Sequence, residues 1–164
     1  MAEPLERAPV LVIGVGNDLR HDDAAGLEVA RCVRARAGAA GVGVREQEGE
    51  TLGLLEQWGG TGAVVLVDAI RSGAPAGAIR RIDLSDAPLP ADLSSSSSTH
   101  AVGIGEAIEL ARVLGRLPRT VVLYGIEGAR FDAGAGLSPE VSSAIDALAE
   151  AVLGEAIRAA ATAA

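Results

Sequence analysis

Lysine is absent from the sequence: all 14 basic residues are arginines. That excludes a lysine Schiff base and the lysine of a phosphate-binding P-loop from this chain's chemistry. Aromatic residues are nearly absent too, with Trp58, Tyr124 and Phe131 the only three. No row of stacking platforms for bases can be built from them, and a net charge of -8 opposes a phosphate-neutralising surface. Nucleic acid is therefore not an expected partner. One cysteine, Cys32, rules out a disulfide framework. It falls on the apolar side of a helical pattern and reads as a reduced core thiol. No apolar run approaches the roughly 20 residues of a membrane span, and the stretch before Pro9 is too polar for a signal-peptide core. A cytoplasmic protein without membrane insertion is expected.

What is present is an alternation of short apolar runs with longer helical patterns. Strands are expected over about 9–15, 42–47, 62–69, 78–84 and 120–126, with the third central and the fourth at an edge. Helices are expected over about 24–37, 52–58, 99–114 and 139–158; Gly38 stops the first, and Pro139 starts the last. This order implies an α/β fold, a three-layer α/β/α sandwich around a mostly parallel, twisted sheet of about five strands. The 164 residues suffice for one domain, with 1–8 and 159–164 expected as mobile termini. The serine-rich 85–98 stretch has no packing pattern and reads as a mobile surface loop that carries His100.

Three residues stand where these elements end or begin. Asp23 follows the first strand through Gly14-Val15-Gly16-Asn17, Asp68 ends the apolar run Ala63-Val64-Val65-Leu66-Val67, and His100 opens a helix after Thr99. Open α/β sheets place ligands at the carboxyl ends of their strands. Two carboxylates and an imidazole converging there can hold a divalent metal with open coordination positions.

Each residue also has a plainer role available. Asp22 and Asp23 precede a helix and suit its positive end; for Asp22, capping or support is the better reading, whereas Asp23 is evenly balanced between dipole partner and ligand. Asp68 is harder to explain structurally, because a charge ending a buried strand needs a partner or solvent. His100 alone can be an ordinary first-turn residue, and His21 reads as exposed in its loop. A dinucleotide turn fails at Leu19, where the third glycine belongs, and Asp18, Asp22 and Asp23 would repel a pyrophosphate. No GxSxG elbow supports a serine hydrolase.

Taken together, Gly14-Val15-Gly16-Asn17 with Leu19 and Asp22-Asp23, Val67-Asp68-Ala69, Thr99-His100, and Gly125-Ile126 followed by Leu137-Ser138-Pro139 resemble the maturation endopeptidases of [NiFe]-hydrogenases along nearly the whole chain. The resemblance implies a phosphorylase/hydrolase-like α/β fold and an aspartyl-type endopeptidase. Its job would be removing the C-terminal extension of a hydrogenase large-subunit precursor after nickel insertion. It also implies that Asp23, Asp68 and His100 are the catalytic, nickel-contacting residues, with nickel carried by the precursor; Asn17, Asp22 and Glu48, placed beside them at strand or helix ends, are candidate supporting groups. Glu48-Gly49-Glu50-Thr51 replaces the family's usual aspartate-led Gly-Gly-Thr segment, and Ser94–Ser98 replaces a proline-containing approach to the histidine. A non-catalytic nickel-sensing chaperone for the same precursor is the competing expectation.

Overall fold

The computed structural model describes residues 8–38, 41–94 and 99–163. Its five strands are β1 (Val10–Val15), β2 (Val42–Gln47), β3 (Ala63–Ile70), β4 (Ile79–Asp83) and β5 (Thr120–Glu127). The helices are α1 (Ala25–Ala37), α2 (Thr51–Trp58), α3 (Ala91–Ser94), α4 (Thr99–Val113) and α5 (Pro139–Ala163), and a 3-10 turn, His21–Ala24, leads into α1. The sheet order is β2-β1-β3-β5-β4. The first four strands in that order run parallel and β4 pairs antiparallel with β5. The expected fold class and strand count are those observed.

The centre of the sheet follows from hydrophobic pattern. All eight residues of β3 are buried, as a strand covered on both faces requires. β4 instead alternates exposed and half-buried positions and carries Arg80, Arg81 and Asp83, a charged edge that discourages pairing with another chain. Alternate residues sort onto opposite faces. Leu11, Ile13, Val64 and Leu66 join Leu54, Trp58, Ile104 and Ile108 under α2 and α4. Val10, Val12, Val65 and Val67 join Val29, Val33, Leu148 and Val152 under α1 and α5, with Cys32 packed partly buried against them. Asp68 has the parity of Val64 and Leu66, so it belongs to the α4 face.

Two sequence expectations change. The 85–94 part of the supposed loop includes α3 and buries Leu89 and Leu93. The Arg112 guanidinium donates to the carbonyls of Ser85, Leu84 and Ala87, so these backbone groups gain partners that no sequence pattern announces; residues 95–98 lie outside the described set. Helix α5 continues to Ala163 rather than stopping near Arg158, because the alanine-rich end has high helix propensity and no breaker. Ala159 and Ala160 pack on the core layer, although they fall in the stretch expected as a mobile terminus. Among the described residues no helix is long and apolar enough to cross a membrane.

Candidate metal centre at the carboxyl edge of the sheet

The parallel strands bring three separate connections to one edge. Asp68 is fixed by strand register, opposite Gly125 of β5. Asp23 is held by the chain leaving β1: Gly16 N–H donates to the Gln47 carbonyl at 3.0 Å, Asn17 N–H to the Asp23 carbonyl at 3.2 Å and Asp23 N–H to the Arg20 carbonyl at 3.1 Å. A methyl group on Gly16 would collide with the Asp23 carbonyl oxygen, so the absent side chain is what lets the 3-10 turn press against β1. His100 is set by α4, over which the β2–α2 connection passes in direct backbone contact. Gly49 there has φ +86 and lies against the His100 Cβ, and a side chain on Gly103 would meet the Gly49 carbonyl.

The three side chains expected to meet do so. One ligand atom from each of Asp23, Asp68 and His100 lies within 4.8 Å of the others, the one such cluster of metal-binding groups found among the described residues. His100 Nδ1 is 3.2 Å from Asp23 Oδ1 and 3.7 Å from Asp68 Oδ1. Ligand atoms about 2.1 Å from a tetrahedral ion stand about 3.4 Å apart, a spacing those two distances bracket. The contacts are close but not aligned as hydrogen bonds: Asp23 Oδ2, Asp68 Oδ1 and His100 Nδ1 are buried without a hydrogen-bond partner. Buried polar atoms left so are costly, and each of the three residues that meet here carries one.

Electrostatics sharpen the picture. The carboxylates of Asp23 and Asp68 outweigh burial and push the His100 imidazole up to about 10. Burial, helped by the negative charge of Asp23, pushes Asp68 up to about 6 against the opposing pull of His100. The centre thus holds a proton on His100 that a metal ion would have to displace.

His100 is nine-tenths buried, with 8% exposure, and is not delivered to the surface by a loop as expected. His21 is not exposed either: its Nδ1 lies 3.0 Å from the Gly136 carbonyl, and its ring packs where a side chain on Gly134 would collide. Asp22 caps nothing in α1. Its buried carboxylate accepts from Ala129 N–H, Arg130 N–H, Ser138 N–H and Ser138 Oγ–H, which is structural support. Asn17 Oδ1 accepts from Leu19 N–H in a local turn, so its amide is committed outside the centre. Glu48 is exposed and stands between two grooves of about 350 and 430 Å³, the second of which is also lined by His100, Glu50 and Glu106.

One buried acid escaped the sequence reading. Glu127, 3% exposed, ends β5 and accepts from Ser72 N–H, Ser72 Oγ–H and Gly73 N–H, fixing the β3–β4 connection. The signal that singled out Asp68, a charge closing an apolar strand, applies equally to it.

Comparison with known proteins assigns the class. The family model described as hydrogenase maturation protease matches residues 48–155. The hydrogenase 2 maturation protease of Escherichia coli K12 is 30% identical over 146 residues, covering 88% of each chain. Among solved structures, the hydrogenase maturating endopeptidase HybD from E. coli superposes with a TM-score of 0.77 at 24% identity, covering 89% of this chain and 90% of that one. The [NiFe] hydrogenase maturation protease HybD from Thermococcus kodakarensis gives 0.70 at 24% identity, covering 90% and 98%. The chain belongs to the hydrogenase maturation protease family. It is a peptidase, an enzyme that hydrolyses a peptide bond.

Proposed function

We propose that this peptidase acts in the cytoplasm and removes the C-terminal extension of a [NiFe]-hydrogenase large-subunit precursor once nickel has been inserted. Nickel held by the precursor is the recognition element, and Asp23, Asp68 and His100 are the residues that contact it. The observation that carries this reading is the convergence of Asp23, Asp68 and His100, each offering a ligand atom within 4.8 Å of the others and each carrying a buried polar atom without a partner, at the carboxyl edge of the sheet. Oxygen and imidazole donors suit a borderline divalent ion. Three protein ligands leave coordination positions open for groups supplied by the substrate.

Docking nickel in this centre would hold the adjacent peptide bond in place, and positioning of that kind removes much of a barrier. Hydrolysis then requires a water oxygen to add to the carbonyl carbon, a proton to reach the leaving nitrogen, and the C–N bond to break. Asp68, pushed up to about 6, is suited to exchanging a proton near neutral pH when it is not engaged by the metal. Polarisation by the substrate's nickel is the other route to an activated water.

The deciding experiment incubates the protein with nickel-loaded and nickel-free precursor and follows intact mass. Loss of the C-terminal extension from the loaded form alone is expected. Equal trimming of both forms would refute nickel recognition, and trimming of neither would refute the processing role.

A further inference from the structure

We propose that Asp22 is a positioning residue for the metal centre: by anchoring the 3-10 turn to the 128–138 segment, it fixes where its neighbour Asp23 presents its carboxylate. This rests on the proposed role of Asp23 as a nickel contact. The two acids are consecutive in one short turn, yet they face different surroundings. Among the described residues the side chain of Asp23 has an ion-pair contact with His100, at 3.2 Å, and an unpartnered second oxygen. Its side chain therefore contributes little to holding its own backbone.

Asp22 supplies the anchorage. Its Oδ2 accepts from Ala129 N–H at 2.7 Å, Arg130 N–H at 2.8 Å and Ser138 Oγ–H at 2.8 Å, and its Oδ1 accepts from Ser138 N–H at 2.7 Å. The backbone repeats the attachment, with Asp22 N–H donating to the Arg130 carbonyl, His21 N–H to the Gly134 carbonyl and Gly134 N–H to the Leu19 carbonyl, each at 2.9 Å. Ser138 immediately precedes α5, so the carboxylate also sits at the positive end of a 25-residue helix, where negative charge is favoured. The turn is thereby fastened to a long helix that packs beneath the sheet.

The chemistry of this pocket specifies an acid. All four groups around the carboxylate donate, and only a group with two accepting oxygens satisfies them. An asparagine of the same shape must turn its NH2 either toward Ser138 N–H or toward the three donors at Oδ2, setting donor against donor. Asp22→Asn should therefore keep the fold but let the turn shift, and Asp23 with it.

The test measures Ni²⁺ affinity of the isolated full chain by competition with a chelator, together with kcat and KM for the nickel-loaded precursor. Asp22→Asn is compared with Val152→Ala, a core truncation in α5 remote from the centre, with thermal melts recorded for both. At least a tenfold loss of Ni²⁺ affinity and of kcat/KM is expected for Asp22→Asn, with Val152→Ala close to wild type despite its lowered melting temperature. Ser138→Ala, which removes one of the four bonds, should move the same quantities in the same direction by a smaller factor, and it decides the matter if Asp22→Asn does not fold. Wild-type affinity and kcat/KM in the anchor variants, or equal losses in Val152→Ala, would overturn the assignment. Asp23→Asn separates the two readings: if it loses affinity while the anchor variants do not, only the role of Asp22 falls; if it too is unchanged, the contact role of Asp23 falls and this inference with it.

Discussion

If Asp23, Asp68 and His100 contact nickel as proposed, the proton on His100 gives that contact a pH dependence whose size can be worked out. With the imidazole pushed up to about 10 by Asp23 and Asp68, about one molecule in a thousand carries a neutral ring at pH 7. Coordination requires the neutral ring, so binding Ni²⁺ at pH 7 must displace a proton at a cost of about 4 kcal/mol. That cost falls by about 1.4 kcal/mol for each unit of pH up to the pKa. The expected result is a tenfold gain in apparent affinity per pH unit, or about 30-fold between pH 7 and 8.5. The assay is equilibrium competition for Ni²⁺ against a chelator whose own protonation is known. His100→Ala should bind more weakly with no dependence on pH across that range. A wild-type affinity that stays flat from pH 7 to 8.5 would refute the reasoning. The same group sets a stability trend. Its folded pKa is raised from 6.5 to about 10, so its contribution is full below about 6.5 and is lost as pH rises through about 10. Asp68, raised from 3.8 to about 6, loses its contribution earlier, as pH rises through 6.

Three further outcomes follow from named contacts. Asp68→Asn should slow precursor trimming by at least about 100-fold, the scale of losing one group that stabilises developing charge. Its melting temperature should hold, because the desolvation cost of a buried carboxylate is removed while Asp23 stays beside the imidazolium; a wild-type trimming rate would remove Asp68 from the mechanism. Glu127→Ala should cost about 2 kcal/mol in urea unfolding, since Ser72 and Gly73 lose their acceptor, and a change below about 0.5 kcal/mol would contradict the anchoring role. Gly16→Ala should destabilise the chain by about 1–3 kcal/mol and weaken Ni²⁺ binding as well, because the added methyl displaces Asp23. Unfolding and metal titrations check both, and unaltered metal binding would show that Asp23 is not held by this contact.

How much of the centre could be read from sequence depended on whether its determinants were local. Asp68 was legible because a charge ending a continuous apolar run is a local pattern, and the same pattern, read consistently, would have found Glu127. Asp22 and Asp23 were only weakly separable in that way, support being the better reading of Asp22 and Asp23 evenly balanced. Both are acids at a helix start, and the donors that claim Asp22 lie at Ala129, Arg130 and Ser138, more than a hundred positions away. His100 is buried rather than delivered to the surface because it is covered by the backbone of Gly49, which the missing side chain of Gly103 allows to come close, and glycine contacts leave no hydrophobic signature. His21 was misread for a related reason, since its partner is the carbonyl of Gly136. The class of fold, the central place of β3 and the edge place of β4 came through because burial on both faces of β3 and the charged, half-exposed pattern of β4 are written directly in their residues, whereas the full strand order is not.

The charge balance of the centre suits an enzyme that reads metal on another protein. Two carboxylates and an imidazolium carry a net charge of -1 when both acids are ionised, and exchanging the proton for a divalent ion brings the group to neutrality. At pH 7 the displaced proton weighs against dilute free metal by about 4 kcal/mol. Nickel already held in a docked precursor escapes much of that disadvantage, because tethering raises its effective concentration at the site into the millimolar range. On the proposed reading, a centre with three ligands of its own and a proton in place would thus be biased toward metal that arrives with further ligands attached. Lowering the proton's hold should erode that bias. Asp68→Asn removes one of the two carboxylates that sustain the imidazolium, so in that variant the pH dependence of Ni²⁺ affinity should shift to lower pH even as the absolute affinity falls. A variant whose pH profile coincides with wild type would show that Asp68 does not hold the proton on His100, and the selectivity argument would fail with it.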